Sequence, residues 1–412
     1  MQFDEAVQYL LGLGHETLTI KLGLRNTELL LHALDNPERS FTVVQIAGTN
    51  GKGSTAAMLH SICRAAGMRT GLYTSPHLVS ITERIVVNGD EITETEFARH
   101  ASTVRAAAED LLARHEIEAL PTFFEQLTAI ALIAFREADV ELAILETGLG
   151  GRLDSTTAAN ATIVGITPIA MDHEDYLGDT LASIAAEKAA IIRPGATAVI
   201  AKQKPEALKV LLERCAEVGV VPSLATTIGY ENVHLSLRGK HQLQNASVAI
   251  RMAEALGVSR TSIIRGLETA QHPGRLELIQ HQPAFLLDGA HNPAGAQALR
   301  DYLEEFGDRP LTLVFGAMRD KKLDQIADIL FPIADCLILT PIDNPRAASV
   351  ETLAPLGRQF CRGVVIESIS SAEAVRTAIT QTPINGLICV TGSLYLIGET
   401  RPMILKLTKE TT

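Results

Sequence analysis

The stretch FTVVQIAGTNGKGST, Phe41 to Thr55, decides the fold of this chain. Thr42 to Ile46 is mostly β-branched and reads as a buried strand. It runs into Ala47-Gly48-Thr49-Asn50-Gly51-Lys52-Gly53-Ser54-Thr55, and then into the helix former Ala56-Ala57-Met58-Leu59. Strand, glycine loop and helix form the setting a phosphate-binding loop needs. Glycines let backbone N–H groups turn around oxygens, and the helix N-terminus adds partial positive charge. Lys52 is expected at the terminal phosphates and the Ser54 hydroxyl at Mg²⁺. The spacing departs from G-x-x-x-x-G-K-[ST]: the first glycine stands two residues closer, and Gly53 separates lysine from serine. The alternative is a plain glycine-rich turn. The lysine, the serine and the strand together favour a nucleotide.

Working outward, 412 residues suggest two or three domains, since single cores seldom exceed about 250–300 residues. At 46% hydrophobic and 20% charged, the chain is ordinary globular material. A net charge of −12 argues against a nucleic-acid partner. Cys63, Cys215, Cys336, Cys361 and Cys389 form no C-x-x-C pair, which argues against a zinc site or a disulfide framework. The start MQFDEAVQYLLGLG is acidic and lacks signal-peptide features, and no apolar run reaches membrane-span length. The expectation is a cytoplasmic protein with no membrane partner.

Residues 1–40 read as two helices around a loop, Leu11 to Thr19. Strands are expected at Arg69–Thr74 and Ile81–Val87, the latter ending in an Asn88-Gly89 turn. Thr93 opens a capping box with Glu96 and a long helix, and Thr122 to Ala138 reads as another. Strands at 142–145, 162–166 and 197–201 alternate with helices at 180–192 and 205–217, and helices at 242–256 and 259–270 close the first unit. This alternation argues a parallel sheet covered on both faces. The likeliest seam is 274–283, giving domains 1–280 and 281–412. Beyond it, strands near 285–288, 311–315, 336–340, 363–366 and 387–391 alternate with helices as a second, smaller doubly wound domain.

In open parallel sheets, ligands sit at the carboxyl ends of the strands. Three loops leave such ends with chemistry: 48–54, 146–154 and 167–175. Glu146, ahead of Thr147-Gly148-Leu149-Gly150-Gly151, can bind Mg²⁺ as a Walker-B acid does, or can cap the loop backbone. His173 reads equally as a ligand or as a solvated loop histidine, and Lys188 by sequence alone is an ordinary helical lysine. Asp288 and His291 leave another strand end ahead of Asn292-Pro293, and Arg275 puts a guanidinium at the seam.

Taken together, GTNGKGS at 48–54, SPHL at 75–78, ETGLGGRLD at 146–154, MDHEDYLGDTLASIAAEKAAII at 171–192, PGRLE at 273–277 and LDGAHNP at 287–293 carry a resemblance. With HQLQNA at 241–246 and TGSLYLIGE at 391–399, it covers nearly the whole length. The chain resembles the folylpolyglutamate synthase/dihydrofolate synthase members of the Mur ligase family. The resemblance implies an α/β fold: a P-loop-containing, Mur-ligase-like ATPase domain with a parallel-rich sheet, and a smaller Rossmann-like C-terminal domain. It implies an ATP-dependent amide ligase that adds L-glutamate to dihydropteroate or folates through an acyl phosphate, acting as a monomer. It also implies domain closure across the seam.

Carried over by resemblance, Gly48, Thr49, Asn50, Gly51, Lys52, Gly53, Ser54 and Thr55 would hold ATP, with Asn245 at the adenine, Arg275 at phosphates and Asp288 at the ribose. Ser54 and Glu146 would bind one Mg²⁺ and His173 would contribute to a second. Lys188 matches a lysine that the family carbamylates. Lys52, Lys188, His173 and Glu146 are thus the catalytic candidates. Ser75, Pro76, His77 and Phe123, within the 122–126 stretch TFFEQ, would line the pterin side, with His291 and Ser393 where glutamate enters.

The chain departs from the family pattern at Ser155-Thr156-Thr157, where an asparagine is expected in place of Thr157, at Pro168, and at Asp320-Lys321-Lys322. The alternatives are a cell-wall Mur ligase acting on a UDP-linked peptide precursor, and a nucleotide switch. The stretch before Gly48 is short for the nucleotide-sugar domain of the former, and no N-K-x-D segment supports the latter.

Overall fold

The structure is a computed structural model that describes residues 1–14, 23–227, 229–307 and 309–410. The chain divides into two compact units. One comprises Met1–Ser236 with Leu243–Gln271, the other Leu237–Gln242 with His272–Thr412.

The first unit is built on an eight-stranded sheet. Its strands are β1 (Thr42–Ala47), β2 (Thr70–Tyr73), β3 (Ile85–Val87), β4 (Asp90–Glu91), β5 (Leu142–Glu146), β6 (Ile163–Ile166), β7 (Thr197–Ile200) and β8 (Ser223–Leu224). They run in the order β4-β3-β2-β5-β1-β6-β7-β8. From β2 to β8 every pairing is parallel, whereas β2-β3 and β3-β4 are antiparallel. The Asn88-Gly89 turn makes that antiparallel edge: both residues have positive φ, 52° and 98°, as a two-residue hairpin requires. β2 and β5 lie on one side of β1 and β6 on the other, so the loop after β1 opens where the strand order reverses.

β1 and β5 are buried on both faces, which is why they read as continuous apolar runs. Gln45 is the polar exception at 1% exposure. Its amide donates to Thr156 Oγ1 at 2.8 Å and Thr157 Oγ1 at 2.7 Å, and Thr157 Oγ1 donates to the Gly151 carbonyl at 2.7 Å. Thr157, one of the departures from the family pattern, therefore anchors the glycine loop after β5 to the central strand.

Three sequence expectations need correction. Ile81–Arg84 forms a 3₁₀ turn rather than the first half of a strand. Glu83 accepts the N–H groups of Leu78, Val79 and Ser80, and this local bonding competes successfully with sheet pairing. The 274–283 stretch is part of the second unit rather than a linker. The expected loop at Leu11–Thr19 begins later, because the first helix runs to Gly12; from residue 15 onward it lies outside the described residues.

The second unit has strands β9 (Glu277–Ile279), β10 (Ala284–Asp288), β11 (Leu311–Phe315), β12 (Cys336–Leu339), β13 (Val364–Glu367) and β14 (Leu387–Thr391), in the order β13-β12-β11-β14-β10-β9. All pairings are parallel except β9-β10. β9 comes from the expected seam and is held by the bidentate ion pair of Arg401 with Glu277 at 2.8–3.1 Å. No helix among the described residues is long and apolar enough to cross a membrane.

Behind the phosphate loop, helix Lys52–Ala65 packs on helix Arg260–Thr269 through Gly266. A Cβ at Gly266 would lie 2.3 Å from Ile62 Cα and 2.5 Å from Ile62 N, so the two backbones leave no room for a methyl group. Gly266→Ala is expected to destabilise the chain by about 1–3 kcal/mol, read as a lower midpoint in urea unfolding. An unchanged midpoint would mean that the helices separate freely.

Candidate active site

The loops after β5, β1 and β6 leave neighbouring strands at their carboxyl ends, so residues distant in sequence meet there. Gly48 (φ +151°) and Gly51 (φ +86°) both adopt backbone that side chains rarely take. A Cβ on Gly48 would lie 1.9 Å from Thr167 Oγ1, and one on Gly51 would lie 2.0 Å from Asn245 Oδ1. The loop is thus packed between the end of β6 and helix Gln242–Ala255.

Thr49 and Asn50 do not turn their amides inward. Both donate to the Pro168 carbonyl, at 3.1 and 3.2 Å. Thr49 Oγ1 donates to Ala170 O and accepts from Ala170 N, stitching the two loops together. The N–H groups suited to phosphate therefore lie at the start of helix Lys52–Ala65, where the first turn lacks intrahelical acceptors. Pro168, another departure from the family pattern, contributes only its carbonyl to this seam, and any residue could supply that.

Two lysines converge on the loop. Lys52 Nζ reaches the Thr49 carbonyl at 3.4 Å, and Lys188 Nζ donates to the Gly48 carbonyl at 2.9 Å. Lys188 is only 4% exposed, although the sequence alone makes it an ordinary helical lysine. Burial foremost, and then the nearby Lys52 charge, push its pKa down to about 7, against the pull of Asp172 and Asp154.

Glu146 is 5% exposed, and its Oε2 accepts from Ser75 N at 3.2 Å, joining the 75–78 loop to this strand end. Ser54 is 4% exposed in the first turn of its helix. His173 caps the short helix Glu174–Leu177 in left-handed backbone, with Nε2 4.0 Å from Asp172 Oδ2. Among the described residues no three His, Cys, Asp or Glu side chains cluster as a ready-made metal cage. A hydroxyl and a carboxylate beside a phosphate cradle nonetheless suit Mg²⁺, which keeps its waters and takes one or two carboxylates plus substrate phosphates. The donor chemistry of Ser54 and Glu146 fits that ion. Asp172, overlooked beside His173 in the sequence, adds a second oxygen donor with the same preference.

The proposed pterin side is also assembled. Arg84, 3% exposed, donates from Nε to His77 Nδ1 at 2.8 Å and lies 5.5 Å above the Phe123 ring. Phe123 is itself 4% exposed, so its ring supports Arg84 instead of facing a ligand. The half-buried neighbour Phe124 packs on Tyr73 at 5.8 Å and closes over Gly148, where a Cβ would sit 2.5 Å from the ring. Phe124 and Arg84 were not singled out from sequence; the TFFEQ helix start was the available signal for the first.

In the second unit, Asp288 is 8% exposed, with Oδ2 accepting from Leu276 N at 2.9 Å and Oδ1 from Ala290 N at 3.0 Å. Burial pushes its carboxyl pKa up, opposed chiefly by Arg275. His291 Nδ1 lies 2.8 Å from Gly289 O, Asn292 caps helix Pro293–Glu304, and Ser393 Oγ accepts from Tyr395 N at 3.1 Å. These side chains shape the ends of β10 and β14.

An unfolded lysine titrates near pH ~10.4, so between about pH 7 and 10 the unfolded chain holds a proton that folded Lys188 has lost. Stability from this group therefore rises with pH across that window, and below it the folded chain bears the full cost of a buried cation. Lys188→Met is expected to raise the urea midpoint in carbonate-free buffer, by more at pH 7 than at pH 9. An equal gain at both values would show that Lys188 is not depressed.

Comparison with known proteins completes the description. Residues 46–222 match the Mur ligase middle domain, and residues 274–394 match the Mur ligase glutamate ligase domain. The dihydrofolate synthase/folylpolyglutamate synthase of Bacillus subtilis is 34% identical over 94% of this chain and 96% of the relative. A probable bifunctional folylpolyglutamate synthase/dihydropteroate synthase of Halobacterium salinarum is 35% identical over 97% of this chain. The chain spans about half the length of that relative and of its Haloferax volcanii counterpart, 51% and 50%. Among solved structures, Mycobacterium tuberculosis folylpolyglutamate synthase complexed with ADP superposes with a TM-score of 0.90 at 31% identity, covering 98% of this chain and 99% of that one. Escherichia coli FolC in complex with DHPP and ADP gives 0.89 at 29% identity, covering 99% of both. A folylpolyglutamate synthase/dihydrofolate synthase with Mn, AMPPNP and L-glutamate bound gives 0.85 at 29% identity, covering 98% of both. The chain belongs to the Mur ligase family, among its folylpolyglutamate synthase/dihydrofolate synthase members.

Proposed function

We propose that this chain is an ATP-dependent ligase that joins L-glutamate to the carboxylate of dihydropteroate, of folates, or of both. The observation that carries this reading is the convergence of Lys52 and Lys188 on one glycine loop, flanked by the buried Glu146 at the next strand end. The relatives named for folate ligases favour it over a ligase for cell-wall precursors.

The substrate carboxylate is a poor acylating agent, and phosphorylation supplies a leaving group. A carboxylate oxygen attacks the γ-phosphorus, the bond to the β,γ-bridging oxygen breaks, and ADP departs. The glutamate amine then attacks the acyl carbon, the carbon–oxygen bond breaks, and phosphate leaves as the amine loses its proton. Charge neutralisation and alignment are the main demands on the protein. Lys52 and the helix N–H groups meet the phosphates. Ser54 and Glu146 would hold Mg²⁺, with His173 contributing to a second ion; the metal, when bound, neutralises the phosphate oxygens. In the second unit the reading keeps Arg275 for phosphate, Asp288 for ribose, and His291 and Ser393 for glutamate. Residues 1–280 thus serve ATP and residues 281–412 serve glutamate.

Lys188 has the character needed for carbamylation. With its pKa lowered to about 7, a large fraction of the amine is neutral near neutral pH and able to add carbon dioxide, losing one proton to give an anionic carbamate.

ADP release with Mg·ATP and L-glutamate is expected to depend on 7,8-dihydropteroate, on tetrahydrofolate, or on each when offered separately. Lys52→Ala should lower kcat/KM by roughly 100-fold or more. Silence of the parent chain with both acceptors would overturn the reading. Lys188→Ala should be similarly impaired and partly restored by added acetate. Failure of that rescue would remove the carbamate while leaving the ligase assignment intact.

A further inference from the structure

At the amino ends of β2, β5, β1 and β6, the opposite edge of the sheet from the phosphate loop, a groove of about 820 Å³ opens. It lies about 17 Å away along β1, taking roughly 3.3 Å per residue. That volume is within the range of small-molecule sites, roughly 300–1,000 Å³. No residue of the ligase machinery lines it.

Glu38, in the 3₁₀ turn Pro37–Ser40, is 9% exposed. Its Oε1 lies 3.5 Å from Arg39 Nε, while its Oε2 is buried with no hydrogen-bond partner among the described residues. An unsatisfied buried carboxylate oxygen is costly, so a donor is wanted there. Three arginines line the same groove. Arg39 is 78% exposed and pairs only loosely with Glu38. Arg69 donates from Nε to the Asp139 carbonyl at 2.7 Å and lies 3.7 Å from Glu141. Arg136 donates from Nη1 to the Leu34 carbonyl at 2.8 Å. A guanidinium carries five N–H donors, so each of the three retains capacity for an anion.

We propose that this groove is a second ligand site, for an anionic small molecule whose other end carries an amino or amidino donor. The anion meets the arginines and the donor completes Glu38. Two molecules in the proposed reaction's setting share that chemistry: a glutamylated pterin, through its 2-amino and ring N–H edge, and a purine nucleotide. Only the choice of these probes rests on the ligase reading; the site does not.

The test is titration calorimetry on the full chain with folic acid and, separately, with GMP. It compares the parent with Glu38→Gln and Arg39→Ala, and uses ADP release and thermal unfolding as controls. One probe is expected to bind a site whose affinity falls at least tenfold in both variants, with kcat and KM for ADP release unchanged. The probe that does so names the source. Arg39 is exposed, so its variant decides the matter even if Glu38→Gln folds poorly. Binding of both probes that is insensitive to both variants overturns the proposal. So does inorganic phosphate that displaces the probe completely and binds Glu38→Gln as well as the parent, since the groove is then a bare anion patch. A parent chain that releases no ADP refutes the ligase reading, while the titrations still decide the groove.

Discussion

The phosphate loop has no conformational slack, and the candidate site depends on that. Gly48 lies where only a hydrogen fits against Thr167, the Pro168 carbonyl takes two loop amides, and Lys188 holds the Gly48 carbonyl from a third direction. Each restraint comes from a different part of the chain, so the loop is shaped before any ligand arrives. Preorganisation of this kind matters for phosphoryl transfer, where positioned charge accounts for most of the catalysis. It also explains why a buried lysine is tolerated: its ammonium meets a carbonyl and nearby carboxylates.

The same restraint propagates outward. The helix leaving the loop is pressed against helix Arg260–Thr269 at Gly266, and Asn245 closes over Gly51 from the preceding helix. The loop after β5 is tied through Thr157 to Gln45 of the central strand. Three loops on three adjacent strands are thus bound to β1 and to one another, so the site has little freedom to spread.

Much of this was legible in the sequence, for identifiable reasons. β1 and β5 are fully buried and therefore read as unbroken apolar runs, and the capping boxes at Thr93 and Thr122 mark their helix starts as expected. Other features depended on contacts with no local signal. Ile81–Arg84 has the alternation of a strand, yet the Glu83 carboxylate gathers three preceding amides and turns the chain. β9 is too short to announce itself and exists because β10 offers it an edge. That Phe124 faces the loop while Phe123 supports Arg84 is a matter of helix phase, which two adjacent phenylalanines do not disclose. The burial of Lys188 is a property of the fold, absent from its helical neighbours in sequence.

The short segment Leu237–Gln242 belongs to the second unit although the residues on either side belong to the first. There Lys240 pairs with Glu305 at 2.9 Å, and Gly239 leaves no room for a Cβ beside Leu276. The chain therefore passes between the units three times, and no single cut separates them. A chimera exchanged at residue 272 would keep the recipient's six-residue insert facing a foreign partner, and a fragment beginning there would lack it. Recombination between relatives is thus constrained at two distant stretches together, which makes this hexapeptide a place where the histories of the two units must agree.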